Sequence, residues 1–113
     1  MSDTRYPRTP DGRYFVAKNR LWRQTDPRLE DAERQQWVSA LMAARRAVRD
    51  ADSDTARTRA REQVQEAKVA LGERGPVWWS DGAADETQRA PAHSSYADWW
   101  AELSAEQRRA GGA

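Results

Sequence analysis

Six tryptophans stand in a chain of 113 residues that has five leucines, six valines, one phenylalanine and no isoleucine. An indole buries about 150–250 Å² when it enters a core. A few rings must therefore do much of the work that aliphatic side chains do elsewhere. Trp22 and Trp37 lie in the first third of the chain, and the pairs Trp78-Trp79 and Trp99-Trp100 in the last. The middle is alanine, arginine and acid. Large apolar groups from the two ends are expected to meet. Adjacent tryptophans on an extended segment point to opposite faces. Trp78 and Trp79 are thus both buried only if a covering layer exists, from a second copy, a partner, or the segment Tyr96–Leu103.

The length suits one domain, residues 1–113, with a thin core, since 33% of residues are charged. The near-zero net charge of +1 argues against a wholly disordered chain. Cysteine is absent, which removes disulfide and thiolate chemistry. No stretch approaches the ~18 apolar residues that span a bilayer, and Met1 to Asp11 holds no apolar signal region. The expectation is a cytoplasmic protein that engages no membrane.

Charge is unevenly spread. Residues 1–28 hold seven basic and three acidic groups, residues 29–71 eight of each, and residues 72–113 four basic and seven acidic. Opposite fields at the two ends either attract within one small domain or leave a basic face for nucleic acid.

Residues 1–10 read as a flexible polar lead. Asp11-Gly12 is a turn signal. Arg13–Val16 and Arg20–Arg23 are β-prone on either side of Lys18-Asn19, and Asn tolerates the positive φ of a tight turn. A β-hairpin is expected over 13–23. Asp26-Pro27 has the form of a helix start, a capping acid followed by a first-turn proline. Trp37, Leu41, Ala44, Val48 and Ala51 then repeat at +4, +3, +4, +3, the seam a packed partner helix requires. Val38 and Met42 widen that seam. Ser53 or Asp54 can cap a second helix with the stripe Ala56, Ala60, Val64, Ala67 and Leu71, stopped by Gly72. The two fold back as a helical hairpin over 28–71, or run on as one long helix paired in a dimer. A Trp-rich segment and a short helix follow over 77–104. Val77-Trp78-Trp79 is extended, residues 83–93 form a polar loop, and Ser95-x-x-Asp98 is a weak capping box before Tyr96–Leu103. Residues 106–113 are expected to fray.

The segments DGRYFVAKNRLWR (Asp11–Arg23), LMAARRAV (Leu41–Val48) and KVALGERGPVWW (Lys68–Trp79) resemble those of a family of small bacterial proteins, mainly from Gram-negative genomes. The resemblance covers most of residues 5–100. It includes the Ser80-Asp81-Gly82 loop after the paired tryptophans and the segment Tyr96-Ala97-Asp98-Trp99. Some similar chains carry a label linking them to Tol or biopolymer transport. The resemblance implies a compact unit and supplies no activity, cofactor or catalytic residue.

Residues able to carry chemistry are few. His93, the single histidine, precedes a helix with Ser94 and Ser95, and sequence neighbours rarely assemble a triad. Asp81, Asp85 and Glu86 do not have calcium-loop spacing. Gly72-Glu73-Arg74-Gly75 follows a helix, the reverse of a phosphate cradle. Catalytic, cofactor-binding and metal sites are therefore expected to be absent, and no small-molecule substrate is indicated. Two surfaces stand out for interaction. One is the tryptophan set Trp78, Trp79, Trp99 and Trp100, as core or as partner-binding patch. The other is the hairpin, where Tyr14, Phe15 and Trp22 interleave with Arg13, Lys18, Arg20 and Arg23, a pattern that either packs or stacks bases. Arg45, Arg46, Arg49, Arg57, Arg59 and Arg61 add charge at the helical tip.

The reading is an α+β, mostly helical fold: a long αα-hairpin with an N-terminal β-hairpin and a C-terminal Trp-containing segment and short helix packed at its base. Trp37, Trp78, Trp79, Trp99 and Trp100 are expected in one aromatic cluster. The expected function is a non-enzymatic interaction or accessory module with a protein partner or self-association; the alternative is nucleic-acid binding through the basic hairpin and tip arginines.

Overall fold

Lys18 and Asn19 both adopt left-handed backbone, with φ of 53° and 58°. That pair of conformations is what a two-residue hairpin turn needs to match strand twist. In the computed structural model, which describes residues 5–113, the turn joins β1 (Tyr14–Ala17) to β2 (Arg20–Arg23). The register pairs Tyr14 with Arg23, Phe15 with Trp22, Val16 with Leu21 and Ala17 with Arg20. Alternation sends Tyr14, Val16, Leu21 and Arg23 into the interior. Phe15 and Trp22 share the opposite face and stay half-buried.

The chain then forms α1 (Asp31–Asp50) and α2 (Asp54–Ala70), a short 3₁₀ turn (Pro91–His93), α3 (Ala97–Glu102) and α4 (Ala105–Ala110). The fold is mostly helical, as the sequence indicates. Its contacts divide into two compact units. The helical unit is Thr25–Trp78; the terminal unit joins the residues through Gln24 to Trp79–Ala113.

In the helical unit α1 packs on α2. Leu41, Ala67 and Leu71 form its core, with Leu29, Trp37, Val38 and Val64 packed around them. Ala44 and Ala60 are buried as well, so the seam read from the spacing is the seam that packs. Met42, on its margin, is exposed. The helices are separate because Ser53 caps α2, its Oγ accepting from the Ala56 N–H at 3.1 Å. At the other end Gly72 takes φ +80°. The Gly72 and Glu73 N–H groups donate back to the Val69 and Lys68 carbonyls, a Schellman closure.

The start of α1 differs from expectation. Asp26 does not cap it: its carboxylate accepts from the Arg28 N–H and guanidinium in a local turn. Its own N–H donates to the Leu71 carbonyl at 2.8 Å. Residues 26–29 are thereby tied to the end of α2, and the helix begins at Asp31.

In the terminal unit two unanticipated segments flank the hairpin. Arg8 bridges Phe15, with Val16 N–H donating to Pro7 and Thr9 N–H to Tyr14. Beyond β2, Leu21 donates to Arg89 and accepts from Gln88. The stretch read as a loose lead is thus a strand-like neighbour of β1, while the loop meets β2 through a turn in which Gln88 takes φ +74°; the part of the N-terminal expectation that falls on residues 1–4 lies outside the described residues. At the C-terminus, where fraying is expected, the chain has its own cap and a bond to the hairpin turn. Ser104 and Gln107 cap α4 reciprocally, and Gly111 accepts from the Asn19 N–H at 2.7 Å. Gly112, at φ +93°, leaves no room for a side chain: a Cβ would lie 2.6 Å from Asn19 N. The expected single C-terminal helix is two, α3 and α4, because Leu103 is extended between them (φ −69°, ψ 153°). Ser95 does not cap α3, whose first flanking residue is Tyr96 with no side-chain cap; its hydroxyl is used by Glu86 instead.

Among the described residues, no helix is long and apolar enough to cross a membrane.

Candidate functional site

Tyr14 is the hub of the terminal unit. Its ring lies 5.5 Å from that of Trp79 and 5.6 Å from that of Tyr96, both edge-on, the favoured arrangement of aromatic quadrupoles. Contacts continue from Tyr96 to Trp99 at 6.4 Å and on to Trp100 at 6.1 Å. The tyrosine hydroxyl accepts from the Glu86 N–H at 2.8 Å. Burial pushes its pKa up, as it does for Tyr96.

Polar groups wrap the rings. Asp11 accepts from Tyr96 Oη at 2.7 Å, from Thr9 Oγ1 at 2.7 Å and from the Arg13 N–H at 3.1 Å. Burial alone would raise the Asp11 pKa; those hydrogen bonds outweigh it and bring it below the usual value. Arg13 stacks its guanidinium 4.9 Å from the Trp79 ring centre and pairs with Asp81. That pairing holds the Asp81 carboxyl low. Trp79 Nε1 donates to the Ala83 carbonyl at 2.7 Å, closing the Ser80-Asp81-Gly82 loop. Glu86 is buried and receives the Ser95 N–H and hydroxyl at 2.9 and 2.5 Å. Arg23 is buried, with Asp85 3.9 Å away.

The residues singled out from the sequence thus have different fates. Trp79 and Trp100 are core. Trp99 is half-buried and Trp78 lies half-buried in the helical unit. The five-ring cluster is accordingly divided: Trp79, Trp99 and Trp100 belong to the terminal unit, Trp37 and Trp78 to the helical one. Trp78 packs near Gly72, where an added Cβ would sit 3.0 Å from its ring. Arg13 is committed to Asp81 and Trp79, and Arg23 is interior. Arg20 is exposed and donates to the Gln88 carbonyl at 2.8 Å. Tyr14, read as a possible stacking ring, is 1% exposed. At the helical tip Arg49 pairs with Asp50 and Arg57 with Asp54. His93 is exposed. Asp81, Asp85 and Glu86 each have protein partners, Arg13, Thr87 and Ser95 respectively.

The sequence reading missed a cleft of about 330 Å³ in the terminal unit. It is lined by Tyr6, Pro7 and Arg8 together with Trp99, Leu103, Gln107 and Ala110. Arg5 lies at its border with its guanidinium 5.7 Å from the Tyr6 ring centre. Tyr6 in turn rests 5.8 Å from Phe15. The signal was the alternation of Tyr6 and Arg8 ahead of the Asp11-Gly12 turn, masked by Pro7 and Pro10. No two carboxylates, nucleophile and base, or metal-ligand set converge on this cleft; its chemistry is aromatic surface with guanidinium. No protein-family model, curated protein or solved structure matches the chain.

Proposed function

We propose that this chain is a non-enzymatic interaction module of the bacterial cytoplasm, binding a protein partner through the cleft between Tyr6–Arg8 and Trp99–Leu103. The observation that carries the reading is the concentration there of an incompletely buried Trp, a Tyr and two Arg. These residue types dominate the energetics of protein interfaces. The other tryptophans of the terminal unit offer less: Trp79 and Trp100 are buried.

Charge supports a protein over a polyanion. The terminal unit has six basic and two acidic residues through Gln24, and three basic and six acidic from Trp79 onward, a net of +1. Arg13 and Arg23 are also occupied internally. Nucleic-acid surfaces usually carry a one-sided basic stripe.

The test is a pull-down with the full chain, paired with light scattering. A reproducible partner, or a defined self-complex, is expected, and Leu103→Glu should abolish it while far-UV circular dichroism stays unchanged. A strict monomer that retains nothing reproducibly would overturn the proposal. The nucleic-acid reading has one observation in its favour, the half-buried Phe15–Trp22 pair beside exposed Arg20. A low-salt gel shift with single-stranded DNA and RNA separates the two; binding that falls steeply with salt would favour nucleic acid.

A further inference from the structure

We infer that the cleft takes an extended acidic peptide, which adds as a strand to the backbone edge at Arg8; this rests on the interaction reading above and names its occupant. The Pro7 carbonyl and the Thr9 N–H are turned toward β1, accepting from Val16 at 2.9 Å and donating to Tyr14 at 3.0 Å. Main-chain groups alternate between the two edges of a strand. The Arg8 N–H and carbonyl therefore face away from β1, and they have no hydrogen-bond partner among the described residues; Tyr6 stands at the bend that leads into this edge. An extended segment laid along this edge gains main-chain hydrogen bonds, while the adjoining cleft receives its side chains, the strand-addition mode of peptide recognition.

Three features select the occupant. Arg8 is exposed and its guanidinium has no ion pair among the described residues, so an incoming carboxylate has a charge-assisted donor waiting. Trp99, Leu103 and Ala110 supply an apolar wall for the alternate side chains. The α4 part of that wall is anchored by a reciprocal cap, with Ser104 N–H donating to Gln107 Oε1 at 2.9 Å and Gln107 N–H to Ser104 Oγ at 3.1 Å. A second copy is the wrong occupant. Antiparallel pairing of two such edges about Arg8 sets arginine against arginine, and like charges directly opposite destabilise a strand pair.

The test selects short random peptides displayed on phage against the full-length chain, then titrates the enriched sequence as a synthetic peptide by amide NMR. Enriched peptides should alternate acidic with apolar residues and shift the Tyr6 and Arg8 amides and the Trp99 indole. Methylating the peptide's outward-paired amide nitrogens should weaken binding about tenfold or more. Arg8→Glu should weaken it similarly, with Arg8→Lys retaining part. Enrichment of peptides without acids, indifference to N-methylation, shifts confined to other residues, or no enrichment would each overturn the inference. So would a single-stranded oligonucleotide that produces the same shifts. If these fail while a pulled-down partner is still lost with Leu103→Glu, strand addition alone falls; if that partner is also missing, the interaction reading falls with it.

Discussion

In the helical unit the core is leucine and alanine: Leu41, Ala67 and Leu71 in contact, with Ala44 and Ala60 buried along the same seam. In the terminal unit the interior is rings and buried polar groups, with Tyr14 between Trp79 and Tyr96, and Arg23 and Glu86 enclosed. The first arrangement works because small side chains let two helices approach closely, and each turn contributes a little. The second works because one ring buries as much as several alanines. A ring with a hydroxyl or indole N–H must also be given a polar partner. The terminal unit therefore needs its polar network, while the helical unit needs only its spacing and its caps. A core of this second kind stakes more on each residue.

Tyr14→Ala should have the largest effect, because the side chain is almost fully enclosed; large aromatic truncations cost about 3–5 kcal/mol. Denaturant unfolding followed by tryptophan fluorescence reads it. A loss near 1 kcal/mol would mean that the hub role assigned to Tyr14 is wrong. Tyr14→Phe sharpens the point, since it keeps the ring but strands the Glu86 N–H, and should cost about 1–3 kcal/mol.

Leu71→Ala, the matching probe of the helical unit, should cost about 2–5 kcal/mol, read by far-UV circular dichroism. Its side chain is fully buried. Gly72→Ala should cost about 1–2 kcal/mol for its left-handed backbone, and more from crowding, because a Cβ would meet that of Asp26 at 2.9 Å. Gly82→Ala is the control. It has the same backbone hand, φ +83°, but open space, so only the backbone cost should be seen.

Acid should probe the network rather than the seam. Asp11 and Asp81 have folded-state pKa values below the ordinary 3.8. Their contribution is present above that unfolded value and is lost as pH falls through the lower folded ones. The variant carrying both Asp11→Asn and Asp81→Asn should show a flatter stability profile below pH ~4. An unchanged acid limb would show that these carboxylates add nothing. At the small end, Met42→Gln at the exposed margin of the helical seam should change stability by no more than about 0.5 kcal/mol.

Legibility followed the same division. The seam from Trp37 to Ala51, its counterpart from Ala56 to Leu71, the Lys18-Asn19 turn, the Ser53 cap and the Gly72 stop could all be read from local spacing and backbone chemistry. The strand-like pairing of Pro7–Thr9 and the docking of the Gln88–Arg89 turn on Leu21 could not be, because polar and proline-bearing stretches lack an alternating apolar pattern. The cleft was missed for the same reason. The tryptophans were recognised as structural, but not how they divide between the units.

The order of residues alone determined the two long helices, their facing stripes and the hairpin, since each depends on periodicity and on a few turn and cap residues close in sequence. Only tertiary structure decided which charges were available. Arg13 and Asp81, Tyr96 and Asp11, and Glu86 and Ser95 meet across long or irregular stretches of chain. The energy of such a pair depends on distance and solvent exclusion, neither of which is written in the spacing of residues.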